Sequence, residues 1–124
     1  MFNVKEFEPK VNITDIKKMT IADFTFSQNK DVSAQISLLV GVAFSDNGLK
    51  MFVVGYDTET VFQYTLTTAY DIATASYDNI SYNAVFRLGN FVFNNNGDTM
   101  YLSEYNTCTI YQYTLSTPFD ISPG

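Results

Sequence analysis

The side chains that could carry acid–base chemistry in this sequence are carboxylates, because it contains no histidine. A pair of carboxylates can run glycoside hydrolysis, with one as acid and the other as base or nucleophile. The candidates by residue type are Asp46, Asp57, Glu59, Asp71, Asp98, Glu104 and Asp120. The commonest general base is missing, and no phosphate-binding loop, dinucleotide fingerprint or zinc spacing is present. We therefore predict no enzyme, no catalytic residue and no cofactor.

Two tyrosines and two glutamines are the candidates for ligand contact. The ring of a tyrosine stacks on the apolar face of a sugar, and Tyr56 and Tyr105 occupy corresponding loop positions. Gln63 and Gln112 would add hydrogen bonds to such a sugar. The alternative is that the tyrosines pack between repeated structural units, and the sequence leaves both interpretations open.

Metal and thiol chemistry have weaker signals. The loops 46–48 and 94–98 contain oxygen ligands of the kind that calcium prefers, but neither has the spacing or the carboxylate number of a calcium loop. Hairpin turns explain them, so we predict no metal site. The single cysteine, Cys108, excludes an intrachain disulfide and a thiolate cluster. With no activating neighbour visible in the sequence, we expect its thiol to be inert or weakly exposed.

An internal repeat must position these side chains. Residues 44–72 read FSDNGLKMFVVGYDTETVFQYTLTTAYDI, and residues 93–121 read FNNNGDTMYLSEYNTCTIYQYTLSTPFDI. The offset is 49 residues, and 14 of the 29 aligned positions are identical without a gap. The two stretches therefore share one supersecondary unit.

Each copy predicts three antiparallel strands. In the first copy, an apolar run at 42–44 is followed by an Asp-Asn-Gly turn, a strand at 50–54, a polar loop at 56–60 and a strand at 61–66. The second copy has the same pattern 49 residues later. Asp71 and Asp120 follow the third strand of each copy, and a duplicated carboxylate favours a structural role, namely accepting backbone hydrogen bonds in that turn.

The flanking segments complete the predicted fold class, which is all-β with two four-stranded antiparallel blades. A fourth strand is predicted at 76–82 for the first copy, and residues 21–29 are predicted as a closing strand. The predicted domains are an N-terminal arm or anchor at 1–20 and a repeat domain at 21–124, with copies at about 41–89 and 90–124. Four-stranded sheets that repeat every ~40–50 residues are the signature of β-propellers.

The pattern resembles the repeat of β-propeller-like proteins from phages and bacteria, whose units read F-S-x-D-G-x-K-M-Y-V-V-G and then Y-Q-Y-x-L-S-T-P/A-aromatic-D-I-S-T-A. The resemblance covers roughly residues 22–122 and departs at Glu104, which stands at the position of Gly55. The matching residues of the first copy are Phe44, Ser45, Gly48, Lys50, Met51, Phe52, Val53, Val54, Gly55, Phe62, Gln63, Tyr64, Leu66, Tyr70, Asp71, Ile72 and Ala75. Those of the second copy are Gly97, Met100, Tyr101, Tyr111, Gln112, Tyr113, Leu115, Ser116, Thr117, Pro118, Phe119, Asp120, Ile121 and Ser122.

Two blades are too few to close a propeller, which needs about four to eight. Uncovered strand edges pair with other chains, and closed cyclic symmetry is the usual result. We therefore expect a homo-oligomer, with a trimer of six blades favoured over a tetramer of eight. An open stack of sheets is the competing picture.

Charge limits the partners. Residues 1–20 hold four lysines against three acidic residues, whereas residues 21–124 hold three basic residues against ten acidic ones. An acidic body disfavours nucleic acid and anionic membrane surfaces. No apolar run is long enough to span a bilayer, and the N-terminus lacks the apolar core of a signal peptide. We expect neither nucleic-acid binding nor membrane insertion.

The resemblance implies a structural, non-enzymatic phage virion protein, either a head-decoration or a tail-appendage component such as a tail fibre part. It would be made in the host cytoplasm and lie on the particle surface, held to other virion proteins by the arm and able to touch host glycans during attachment. The alternative function is a small oligomeric carbohydrate-binding module of the lectin type, with sites between blades.

Overall fold

The computed structural model describes residues 24–122, which form seven β-strands in two antiparallel sheets. The strands are β1 (Leu39–Phe44), β2 (Lys50–Gly55), β3 (Thr60–Leu66), β4 (Ala75–Asn83), β5 (Leu88–Phe93), β6 (Thr99–Glu104) and β7 (Thr109–Thr114). A single 3₁₀ turn at Ile72–Thr74 precedes β4, and no α-helix occurs among the residues described. The prediction of an all-β chain with two antiparallel sheets is confirmed.

The order of strands within each sheet follows the chain. Sheet I has the order β1-β2-β3-β4, and sheet II has the order β5-β6-β7. The fourth strand predicted at 76–82 is confirmed as β4. Sheet II has three strands within residues 24–122, so a second four-stranded blade stays a prediction.

The predicted closing strand at 21–29 falls partly on residues that the structure does not describe. Residues 21–23 and the predicted arm at 1–20 lie outside the described part. Residues 24–29 are exposed and form no strand, apart from an isolated bridge at Phe24. The proposal that this segment completes a blade therefore stays a prediction.

The first hairpin of each sheet ends in a turn that an aromatic ring covers. Gly48 and Gly97 have φ angles of 73° and 77°, which side chains rarely tolerate. The amide of Tyr70 donates to the carbonyl of Gly48 at 2.8 Å, and the amide of Phe119 donates to that of Gly97 at 2.9 Å. Each ring lies directly over its glycine, where a Cβ atom would meet it at 2.4 or 2.3 Å. Asn47, next to Gly48, is not among the residues with positive φ, so Gly48 alone supplies the positive φ of this turn, while the Asn47 side chain accepts the Leu49 amide at 3.0 Å.

A hydrophobic core lies between the sheets and defines two of their faces. The Phe52 face of sheet I consists of Ala43, Phe52, Val54 and Val61, and the Phe91 face of sheet II consists of Phe91, Phe93, Met100 and Leu102. The Phe52 ring meets Phe91 and Phe93 edge-on, with ring centroids 5.9 and 4.8 Å apart. Contacts of this kind stabilise by about 0.5–1.5 kcal/mol beyond the apolar area that they bury.

The opposite faces point away from this core. The Val42 face of sheet I consists of Val42, Phe44, Met51, Val53 and Tyr64, because strand alternation and pairing put these residues together. Val32 and Ile36, from the segment before β1, cover part of it. The Val92 face of sheet II consists of Val92, Tyr101, Ser103 and Ile110, and it is the more open of the two.

Candidate functional site

The two candidate tyrosines meet each other at one end of the sheets. Tyr56 follows β2, Tyr105 follows β6, and their rings pack edge-on with centroids 5.2 Å apart and planes at 89°. The guanidinium of Arg87 lies over the Tyr56 ring, 4.9 Å from its centroid, which is a cation–π distance. Tyr105 keeps 63% of its surface exposed. The pair thus packs between the two repeats and still presents one ring to solvent.

The same backbone contact places both tyrosines. The amide of Tyr56 donates to the carbonyl of Leu38, and the amide of Tyr105 donates to that of Arg87, both at 2.9 Å. These two acceptors are 49 residues apart, so the repeat extends into the segments that precede β1 and β5. The loops then end alike, since Glu59 and Cys108 both have a φ of 57°. Repeated sequence therefore produces repeated loop geometry.

Gln63 lies in the middle of β3 and is buried between the sheets, with 3% exposure. Its side-chain amide donates to the Asp78 carboxylate at 2.8 Å, and the Thr65 hydroxyl donates to the same oxygen at 2.8 Å. The amide carbonyl has no hydrogen-bond partner among the described residues. Rotating the amide would place that carbonyl against a carboxylate oxygen, so the nitrogen faces Asp78.

Gln112 occupies the corresponding position in β7 and is exposed. Strand pairing puts Gln63 opposite Phe52 and Gln112 opposite Tyr101, four residues before Tyr56 and Tyr105 respectively. Four strand residues span roughly 13 Å. The structure therefore brings the two tyrosines together and leaves both glutamines away from them.

Three of the seven candidate carboxylates, Asp71, Asp98 and Asp120, accept hydrogen bonds within turns. The predicted acceptor role of Asp71 and Asp120 is confirmed, because Asp71 accepts the amide of Ala73 at 3.1 Å and Asp120 accepts that of Ser122 at 2.9 Å. The hydrogen bonds from Ser122 hold the pKa of Asp120 below its ordinary value. A carboxylate used in this way is tied to its backbone and is a poor proton donor near neutral pH.

Asp98 and two further carboxylates, Asp57 and Glu104, also accept side-chain hydrogen bonds. Asp98 accepts the Asn94 amide at 2.6 Å and the Thr99 hydroxyl at 2.9 Å, and these donors lower its pKa. Asp57 accepts the Ser37 hydroxyl at 2.9 Å, and Glu104 accepts the Tyr111 hydroxyl at 2.9 Å. Asp46 and Glu59 have no side-chain hydrogen bond within residues 24–122. Among those residues, no three acidic, histidine or cysteine side chains come together as metal ligands.

The tyrosine cluster consists of Tyr56, Tyr105 and Arg87, and the sequence interpretation missed the last of these. Arg87 was not singled out, and its only sequence signal is that it stands 49 residues after Leu38, which supplies the equivalent carbonyl. Cys108 is exposed, so of the two alternatives predicted for its thiol, inert or weakly exposed, the second is wrong and the first stays a prediction.

The tyrosine cluster offers the exposed Tyr105 ring, which packs on the Tyr56 ring that the Arg87 guanidinium covers. Such a surface can stack on a sugar or pack against another protein. No protein-family model, curated protein or solved structure matches the chain. No helix in the described part is long and apolar enough to cross a bilayer.

Proposed function

We propose that this chain is a non-enzymatic structural protein of a phage virion, a head-decoration or tail-appendage component that works through protein–protein contacts. The observation that carries the proposal is the pair of repeated sheets whose outer faces keep apolar side chains in solvent. Val42 is 55% exposed, Val92 48% and Ile110 74%. Exposed apolar side chains gathered on a sheet face mark a site of protein interaction.

The edge of sheet II supports the same proposal. Within residues 24–122, no strand pairs with the outer edge of β7, which leaves backbone donors and acceptors free to pair with another strand. The strand proposed at 21–29, from the same chain or from a neighbouring one, would cover this edge. Such an exchange would complete a second four-stranded blade and link copies into a closed ring, with three copies favoured.

The choice of a virion rests on the resemblance to phage propeller-like repeats. On this proposal the arm at 1–20 holds other virion proteins, and the sheets lie on the particle surface, where they can also touch host glycans. The engagement of Asp71, Asp98 and Asp120 in turns agrees with a structural role. None of these contacts requires a cofactor.

Electron microscopy of phage particles tests the proposal. Particles that carry the chain with a small fused label should show added density at capsid or tail positions that follow the symmetry of that part. The matched control is a chain without residues 1–20, which should fold and leave the particle bare. A labelled chain that is found only as soluble protein and never on particles would contradict the proposal.

A carbohydrate-binding module is the second candidate, favoured by the exposed ring of Tyr105, which packs on the Tyr56 ring that Arg87 covers. Glycan-array binding should then survive Tyr105→Phe, which keeps the stacking ring, and weaken at least tenfold with Tyr105→Ala. An array without hits, or hits that Tyr105→Ala leaves unchanged, would exclude this site.

A further inference from the structure

The repeat makes the Val92 face of sheet II the equivalent of a face that is buried elsewhere in the same chain. Val92 and Ile110 stand 49 residues after Ala43 and Val61, which belong to the Phe52 face of sheet I. Val61 is fully buried in the core between the sheets, whereas Ile110 is 74% exposed. The positions of sheet I that pack against sheet II therefore occur a second time, on the Val92 face of sheet II. In the described part of the chain, no other sheet packs against that face.

The Val42 face of sheet I has the complementary relation. Val42 stands 49 residues before Phe91, which is 2% exposed and packs on the Phe52 ring. Val42 itself is 55% exposed. The Val92 face of sheet II is thus equivalent to the Phe52 face of sheet I, and the Val42 face of sheet I is equivalent to the Phe91 face of sheet II. The two outer faces therefore repeat the two faces that pack together within the chain.

We propose that the Val92 face of one copy docks on the Val42 face of a second copy, with the packing that joins sheets I and II within the chain. The inference rests on the homo-oligomer of the proposed function and names the two surfaces that build it. Because the two faces differ, the contact is heterologous, and repeating it closes a ring or builds a filament. Three copies would give six sheets, which is within the range of closed propellers.

The side chains at the centre of the contact are suited to this packing. Tyr101 keeps the aromatic ring of its equivalent Phe52, and Phe44 keeps that of Phe93, so the Phe52–Phe93 ring pair, with centroids 4.8 Å apart, has an aromatic counterpart across copies. A surface cavity of about 170 Å³, lined in part by Val92, Tyr101 and Ile110, leaves room for an entering side chain.

The segment before β1 leaves only part of the Val42 face open. Val32 and Ile36 already cover Met51, Val53 and Tyr64, so a second copy would dock around Val42 and Phe44. Leu38 and Arg87 accept equivalent backbone hydrogen bonds from the tyrosine loops, so the tyrosine ends of the two sheets are built alike. The same docking would bring Tyr56 of the second copy to the exposed Tyr105, as Tyr56 meets Tyr105 within the chain.

Native mass spectrometry of the full chain tests the proposal. Wild-type protein should have the mass of several chains, with three favoured. Val92→Arg and Val42→Arg each place a charge in the proposed contact, at positions exposed enough to leave the sheets folded. Each variant should have the mass of one chain. Val85→Arg is the matched control, because Val85 is 81% exposed and belongs to neither face, and it should assemble like wild type.

Mixing the two variants gives the decisive result. Val92→Arg keeps an intact Val42 face, and Val42→Arg keeps an intact Val92 face, so at high concentration the mixture should form pairs with one chain of each kind. A contact between identical faces would instead let one of the two variants pair with itself. Three outcomes would overturn the proposal: one variant that pairs with itself, a mixture without pairs, or an oligomer that survives both substitutions.

Two further results separate this proposal from its neighbours. If residues 1–23 cover the Val92 face, wild type will have the mass of one chain and will assemble only when they are removed, which overturns the docking of copies. A protein that has the mass of one chain and still decorates particles overturns the docking of copies and supports the virion role. A ring that never associates with particles supports the docking of copies and overturns the virion role.

Discussion

Strands β3 and β7 have nearly the same sequence and very different surroundings. β3 reads TVFQYTL and the second copy reads TIYQYTL, yet Val61 is fully buried and Ile110 is 74% exposed. β4 pairs along the whole of β3, and sheet II packs on the face that holds Val61. β7 has β6 on one side only among the described residues. Burial in this fold is therefore decided by what lies against a strand, and the sequence of the strand itself leaves it open.

The comparison extends to the polar side chains. Gln63 is enclosed and bonded to Asp78 of β4, whereas Gln112 points into solvent. An identical residue thus has a structural hydrogen bond in one copy and no side-chain hydrogen bond within residues 24–122 in the other. Substitutions at equivalent positions should lower the free energy of unfolding unequally where the residues packed against them differ between the copies. They should lower it equally where the contacts lie within one copy of the repeat.

The largest difference is expected between the equivalent residues Phe52, which lies in the core between the sheets, and Tyr101, which lies on the outer face of sheet II. Phe52→Ala removes a ring with 0% exposure and should lower the free energy of unfolding by about 3–5 kcal/mol. Tyr101→Ala should cost less than half as much, because Tyr101 is half-buried. Urea unfolding in the Val42→Arg background, where association does not contribute, measures both. Equal losses would mean that Tyr101 is covered within the single chain.

Leu66 and Leu115 give the same comparison with identical side chains. Leu66 is 1% exposed and pairs with Ala75 of β4, so Leu66→Ala should cost roughly 2–5 kcal/mol. Leu115 is only half-buried, and Leu115→Ala should cost clearly less. Thermal and urea unfolding of the two variants provide the measurement. A larger loss at Leu115 would contradict the role given to β4.

Substitutions in the glycine turns should lower the free energy of unfolding equally in the two copies, because both turns are built alike. Gly48→Ala and Gly97→Ala each force a side chain into a positive φ and against an aromatic ring, and each should cost roughly 1–3 kcal/mol. Gly89→Ala is a control without positive φ, where the added Cβ meets only the Ser103 hydroxyl closely. Costs that differ widely between Gly48 and Gly97 would show that the two turns are not one unit.

The smallest effect is expected at Asp98, which stands where the first copy has Leu49. Hydrogen bonds from Asn94 and Thr99 hold the folded pKa of Asp98 below 3.8. Its ionised form therefore stabilises the fold above that value, and the contribution is lost as the pH falls through the lowered pKa. Asp98→Asn should flatten the dependence of unfolding free energy on pH in this acidic range. Asp46→Asn, in the first turn, is the control, and an unchanged pH dependence in Asp98→Asn would contradict the prediction.

The sequence predicts much of this fold because its strongest signals are local. Alternation at Phe62 and Tyr64 predicts which side chains share a face, and the glycine of each turn predicts where β1 and β5 reverse direction. The 49-residue offset then transfers each assignment to the second copy. The fourth strand β4 followed from the same spacing of apolar and turn residues.

The candidate site was harder to predict because it depends on contacts between repeats. Tyr56 and Tyr105 were identified as equivalent, but equivalence does not say that they touch or that Arg87 lies on one of them. Gln63 and Gln112 have identical neighbours in sequence and differ only in what the tertiary structure places against them. Periodicity carries no information on which copy is covered.

The order of strands has a consequence for how this protein is made. Within residues 24–122, every hydrogen-bonded pair of sheet strands joins neighbours along the chain, and the four strands of sheet I lie within residues 39–83. Chains dominated by near-neighbour pairing fold faster than those that must join distant segments. During synthesis the first sheet would therefore be complete while the second is still being translated, and the Phe52 face would await β5 as it emerges. The proposed docking of copies would come last, at a rate set by protein concentration.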